Sequence, residues 1–299
     1  MSENLSPENI LERVSSALPP QSRKNIIVIG SLAAGYYFSR ELSNGGIRTK
    51  DVDCMIWPHA NVKALAKDVA EELIDHGWQF NFTKEYPQSY DEKMEIEKLP
   101  MVRLYPGGET EWFLELLNSP NSELTQKKMR SAEKLNTKHG YFALCSFKYL
   151  GLLEVNPIPT QHEIAIASPQ MMALANLLHH PMIGDGKIGV TNVKRSNKDL
   201  GRVLALAYLM TEGNKDLRAW PEQWLKALEI KFPTEVRELA LRAGDGLKML
   251  LNQEYDFEQA VKTCNDGLLA NHKVNPQQLK VTAMRFIDDV IDRLEGLVR

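Results

Sequence analysis

Between Asn25 and Trp57 the chain reads NIIVIGSLAAGYYFSRELSNGGIRTKDVDCMIW. No other stretch limits the possible folds so tightly. Ile26-Ile27-Val28-Ile29 is a short β-branched apolar run, the signature of a buried strand. Gly30-Ser31 breaks it, and Leu32 to Leu42 then predicts a helix. Lys50-Asp51-Val52-Asp53-Cys54-Met55-Ile56 predicts a second strand. A strand, a tight turn, a helix and another strand within so few residues commit this part of the chain to a sheet with helices on it.

The same residues carry chemistry. A turn that leads from a strand into a helix N-terminus points backbone N–H groups outward, and the helix dipole there favours an anion. Gly30 lets a phosphate approach the backbone because it has no Cβ, and Ser31 adds a hydroxyl donor. In the second strand, side chains two apart share a face, so Asp51 and Asp53 point one way while Val52 and Cys54 point into the core. Two adjacent carboxylates repel unless a cation lies between them, and hard divalent ions with oxygen ligands suit that arrangement. Mg²⁺ or Mn²⁺ is therefore the expected cofactor, and metal-assisted phosphoryl or nucleotidyl transfer the expected chemistry.

Gly-Ser, a helix and then a strand with paired aspartates resembles the signature of the polymerase-β-type nucleotidyltransferase superfamily. The wording GSLAAGYYFSREL…IRTKDVDCMI is most similar to the branch that contains the AbiEii abortive-infection toxins. The resemblance implies that Gly30 and Ser31 hold a nucleoside triphosphate and that Asp51 and Asp53 hold the metals. It also implies a third carboxylate from a later strand. Glu115 within FLELL is the candidate, because an acid among leucines is costly to bury without a metal or partner. Glu111, on the same face by period two, is the substitute. The family more often has Asp at this place.

Composition sets the outer limits. The chain has 299 residues, 43% hydrophobic and 25% charged, enough for a sizeable core and one or two domains. A net charge of −3 does not indicate nucleic-acid binding by bulk electrostatics. Cys54, Cys145 and Cys264 form no C-x-x-C pair, so neither a zinc site nor a disulfide framework is expected. The N-terminus lacks the basic and apolar regions of a signal peptide, and no apolar run has the length of a membrane span. A cytoplasmic protein with no membrane partner is the expectation.

Further along, Ser6-Pro7-Glu8 predicts a helix start, with Ile10, Leu11, Val14 and Leu18 inward, ending at Pro19-Pro20. Val62 to His76 is an amphipathic helix stopped by Gly77, with His76 as a C-terminal cap or surface residue. Residues 78–82, 101–105 and 111–117 predict strands, the last two joined as a hairpin through Pro106-Gly107-Gly108. Ser122 to His139 reads as a solvated polar face, or as a basic rim near substrate. Tyr141 to Val155 is a strand or a short helix. Pro157 and Pro159 suggest a connector, which places an α/β domain at 1–160 and a helical domain at 161–299.

In the helical half, Ser168-Pro169 predicts a helix from Met171 to His180, followed by a Gly-rich loop over 181–189. Lys194 to Met210 predicts another, with Asn197 as its cap and Lys198 and Asp199 in the first turn. This order also resembles AbiEii-like chains, and by that resemblance Arg195, Lys198 and Asp199 face the nucleotide. Relatives often carry a Lys within the first of these helices, where this chain has only Asn176. Four further helical segments start near Pro221, Pro233, Asp256 and Pro276. Adjacent His179 and His180 cannot share a helix face as a metal pair.

The expected fold is thus α/β plus α: a small mixed sheet with flanking helices, then a helical C-terminal domain. The expected function is nucleotidyl transfer to an acceptor hydroxyl on tRNA, protein or a small molecule, with an antitoxin protein as a possible partner. The alternative is a non-catalytic nucleotide- or protein-binding module on a degenerate transferase scaffold.

Overall fold

The computed structural model describes every residue except 1–4, 40, 41, 43–45, 109, 110, 119–129, 184, 185, 189–191 and 273. The chain forms two compact units, Met1–Ala33 with Thr49–Ala167, and Ala34–Arg48 with Ser168–Arg299. The mixed sheet belongs to the first unit and the C-terminal helices to the second. No described helix is long and apolar enough to cross a membrane.

In the first unit, α1 (Pro7–Ser16) begins where the Ser-Pro pair predicts, with the Ser6 hydroxyl accepting from the Asn9 N–H at 3.4 Å. A short α2 (Pro20–Arg23) leads into β1 (Ile26–Val28), which is buried throughout. The helix α3 (Gly30–Tyr37) starts at the glycine itself, and β2 (Asp51–Ile56) follows. The amphipathic segment is α4 (Val62–Asp75), burying Val62, Ala66, Val69, Ala70 and Leu73. His76 closes it as a cap: its Nδ1 lies 2.8 Å from the Glu72 carbonyl, and Gly77 takes φ +88°.

The remaining strands are β3 (Gln79–Phe80), β4 (Arg103–Tyr105), β5 (Phe113–Asn118), β6 (Arg130–Thr137), β7 (Gly140–Phe147), β8 (Ile158–Pro159) and β9 (Ala165–Ile166). They form a mixed sheet in the order β3-β4-β5-β2-β1-β9-β8. β2 is antiparallel to β1 and parallel to β5, and β4 is antiparallel to β5 as a hairpin. The far edge of β5 is shared: β4 pairs with Leu114 and Glu115, and β7 with Leu117. β6 and β7 form a hairpin along their whole length.

The described part of the 122–139 segment contains β6, a strand with exposed Asn136 and half-buried Ser131, Glu133 and Lys134. Glu133, Lys134 and Asn136 hid a strand because a polar strand lacks the apolar alternation that marks one. Backbone pairing with β7 supplies the register, and Leu135 and Thr137 are buried on this strand. Residues 122–129 of that segment lie outside the described residues. The apolar run after it splits into β7 and a 3-10 stretch over Lys148–Glu154.

The second unit contains α5 (Pro169–Ile183), α6 (Arg195–Glu212), α7 (Trp220–Lys231), α8 (Val236–Arg242), α9 (Asp245–Leu251), α10 (Glu254–Asp266) and α11 (Pro276–Phe286). A π-helical turn, Ile287–Ile291, joins α11 to α12 (Asp292–Val298). α5 begins right after Ser168, as the Ser-Pro pair predicts, although the Ser168 hydroxyl is buried with no hydrogen-bond partner among the described residues. The end of α5 needs correction: it runs through Pro181 to Ile183 and does not stop at His180.

α6 begins at Arg195, so Asn197 is not its cap. Its amide is used inward, donating to Asp256 and Gln259 at 3.0 Å each. Gly201 lets α6 and α10 pack closely: a Cβ there would stand 2.7 Å from the Ala260 carbonyl oxygen. Trp220, Trp224 and Phe286 form a ring cluster with centroids 5.8–6.0 Å apart, and the Trp224 indole donates to the Gln170 carbonyl at 2.8 Å.

Candidate active site

Gly30 and the aspartate strand meet directly. The Ile29 N–H donates to the Asp53 carbonyl at 2.9 Å, which ties the turn to β2. Gly30 then takes φ +70°, and a Cβ placed on it would lie 3.1 Å from Asp53 Oδ2. The glycine is therefore required twice, for its backbone conformation and for the space that the carboxylate occupies. Ser31 follows in the first turn of α3.

Asp51 and Asp53 are part-buried on one face of β2, while Val52 and Cys54 are fully buried on the other. The Thr49 hydroxyl donates to Asp51 Oδ1 at 2.9 Å and fixes that carboxylate. Burial, and next the negative charge of Asp53, push the Cys54 thiol far above its ordinary range. Cys54 is thus an inert packing group, as its place on the apolar face predicts.

Glu115 stands opposite Asp53 in the parallel β2–β5 register, so the two share a face. The antiparallel β5–β4 register then puts Arg103 opposite Glu115. Arg103 Nε donates to Glu115 Oε2 at 2.7 Å, and the guanidinium lies over the Phe113 ring at 5.0 Å. The third-carboxylate expectation thus meets a different arrangement, because Glu115 has a cation for a partner. Among the described residues no group of three or more His, Cys, Asp and Glu side chains is gathered to hold a metal. The two aspartates do fit one in donor chemistry: two oxygen donors on one face, fixed by a hydroxyl and by a turn with no side chain. Glu111, the substitute, lies outside β5 and its register with β2.

No family model matches this chain, and no curated protein or solved structure does either.

Arg195, Lys198 and Asp199 lie in the second unit, within the first two turns of α6. Arg195 is exposed and its Nε donates to the Lys187 carbonyl at 3.3 Å. Lys198 is half-buried. Asp199 is buried and faces His179, whose Nδ1 is 2.9 Å away, with an Arg202 nitrogen at 3.8 Å. These contacts make Asp199 an anchor between α5 and α6. His180, next to His179, packs its ring where a Cβ on Gly246 would fall. Burial holds the His180 imidazole below its ordinary pKa, with Asp199 and the Ser196 backbone opposing.

Sequence reasoning missed Arg103, Thr49 and the His179–Asp199 pair. Arg103 had a usable signal: the hairpin between 101–105 and 111–117 was predicted, and fixing its register would have set Arg103 against Glu115. The His179–Asp199 pair had none, since two helices must pack before those residues meet.

Proposed function

We propose that this chain is a nucleotidyltransferase that moves a nucleoside monophosphate from a nucleoside triphosphate to an acceptor hydroxyl. The observation that carries the reading is the Gly30 turn, at φ +70°, where an added Cβ would lie 3.1 Å from Asp53 Oδ2. A bare glycine turn pressed against a paired-aspartate strand fits a triphosphate on the turn with divalent metal beside it. The resemblance to AbiEii-like chains supports the same assignment.

In this reading the N–H groups at the start of α3, with the Ser31 hydroxyl, hold phosphate oxygens, aided by the helix dipole. Asp51 and Asp53 would hold Mg²⁺ or Mn²⁺, which when bound stabilises charge on the attacking and leaving oxygens. Thr49 keeps Asp51 turned toward that position. Val52 and Cys54 on the far face fix the strand, so both carboxylates present themselves without conformational search. Arg195 and Lys198 are the further cations that the family resemblance assigns to the nucleotide. The acceptor would be tRNA, protein or a small molecule, the compartment the cytoplasm, and an antitoxin protein a partner.

The second reading, a nucleotide- or protein-binding module without catalysis, is favoured by one observation: Glu115 bonds Arg103 and does not join the aspartates in a metal-holding group. One experiment separates the two. The full chain is incubated with Mg²⁺, each α-labelled nucleoside triphosphate, and total tRNA, a protein extract or no acceptor. Asp51→Asn with Asp53→Asn is the control. Label transferred by the wild type and lost in the double variant supports the transferase. Triphosphate binding without transfer to any acceptor supports the binder, and loss of both removes the reading.

A further inference from the structure

We infer that Arg103 is a phosphate-binding residue of this site and that Glu115 is the residue that positions it, not a third metal ligand. The inference rests on the nucleotidyl-transfer reading for the identity of its ligand, and on the strand register for its geometry. Asp53, Glu115 and Arg103 stand directly opposite one another on three neighbouring strands, β2, β5 and β4, and share one face. Neighbouring strands lie about 4.8 Å apart, which sets Arg103 two strand spacings, or about 10 Å, from Asp53 along the backbone. Gly30 and Ser31 flank Asp53 from the β1 side. Phosphate donors would then stand on both sides of the aspartates.

The guanidinium is held for such a task. Its Nε is bound to Glu115, its face rests on Phe113, and its Nη2 approaches the Met101 sulfur at 3.8 Å. Among the described residues nothing bonds Nη1, and the side chain is 41% exposed while that of Glu115 is 12% exposed. A buried acid thus anchors one edge of an arginine whose other edge is open. The planar fork of donors matches two oxygens of a phosphoryl group, a match that lysine lacks. The shared ligand chemistry is a phosphoryl oxygen pair, from either the bound triphosphate or a phosphate on the acceptor.

The test uses the full chain and its Arg103→Gln, Arg103→Lys, Glu115→Gln and Asp53→Asn variants, each checked for fold by circular dichroism. Affinities are measured for three probes: Mn²⁺ alone, ATP with Mg²⁺, and a single-stranded ten-nucleotide oligouridylate. Arg103→Gln should weaken ATP or the oligonucleotide about tenfold and lower the salt dependence of that affinity by about one ion, with partial recovery in Arg103→Lys. A loss confined to ATP assigns the triphosphate as the source, and one confined to the oligonucleotide assigns the acceptor. Glu115→Gln should weaken the same phosphate probe while leaving Mn²⁺ affinity within about twofold.

The inference is overturned if Arg103→Gln leaves both phosphate probes within about twofold, or if the wild type binds neither. It is equally overturned if Glu115→Gln costs Mn²⁺ affinity about tenfold, which would return Glu115 to the metal. Failure of the underlying reading looks different: Mn²⁺ affinity would then be indifferent to Asp53→Asn, whatever Arg103 does.

Discussion

Replacing Gly30 with alanine isolates the feature on which the site is built. At φ +70° an L-residue places its Cβ against the following carbonyl, a cost of about 1–2 kcal/mol. The new methyl would also stand 3.1 Å from Asp53 Oδ2, tighter than an ordinary contact, so the carboxylate must give by a few tenths of an ångström. For a unit of this size each kcal/mol lowers the thermal midpoint by roughly 2–4 °C, so Gly30→Ala should lower it by about 2–8 °C. Ser31→Ala, at a position without positive φ, is the control and should move it by less than about 1 °C. Scanning calorimetry reads the midpoints, and Mn²⁺ titration reads the displaced Asp53, with weaker binding expected in Gly30→Ala alone. A Gly30→Ala protein that melts with the wild type would refute the argument from backbone conformation.

Two glycines in the helical unit should respond in opposite directions. Gly201→Ala drives a methyl against the Ala260 carbonyl and should destabilise by about 1–3 kcal/mol in urea unfolding. Gly296→Ala, with nothing within 4 Å of the new carbon, should stabilise α12 by about 0.5–1 kcal/mol. His180 is held below the ordinary value of 6.5 by burial, so its folded form favours the neutral ring. Its contribution is complete above pH 6.5 and is lost as pH falls through the lowered folded value. Urea midpoints should therefore drop as pH falls below about 6.5, and His180→Gln should flatten part of that slope, with half-buried His272 acting in the same direction. Burial pushes the Cys264 thiol up to about 12 and that of Cys54 further, so neither should react with a thiol reagent at neutral pH until the chain unfolds.

The parts of the molecule that sequence could read were those where short-range pattern decides structure. Ile26 to Ile29, Gly30-Ser31 and the alternation through Asp51 to Ile56 name their own elements, because burial on one face imposes period two and a turn needs its glycine. Ser6-Pro7 and Gly77 mark helix ends by local hydrogen bonding alone. Arg130 to Thr137 did not declare itself, since its strand state depends on pairing with residues 140–147 and not on its own apolar pattern. The partner of Glu115 was hidden for a related reason: Arg103 is twelve residues away in sequence and becomes its neighbour only through hairpin register. Asn197 looked like a cap because capping is a local rule, but its amide donates to Asp256 and Gln259 of α10, which hold it in the interior.

The segment from Ala34 to Arg48 departs from the unit that holds Gly30 and Asp51 and packs with residues far later in the chain. Lys215 sets its ammonium over the Tyr37 and Phe38 rings, and Asn271 donates to the Gly46 carbonyl at 3.3 Å. During synthesis this excursion has no packing partners until most of the chain has left the ribosome. The turn and the aspartate strand, only a few residues from its two ends, stay on an unanchored tether for that interval. Cutting the gene at the Ala167–Ser168 junction would leave the second half without Ala34–Arg48 and the first half carrying that segment without its packing partners. The two-unit division is a property of the folded chain, and it gives no pair of separable pieces.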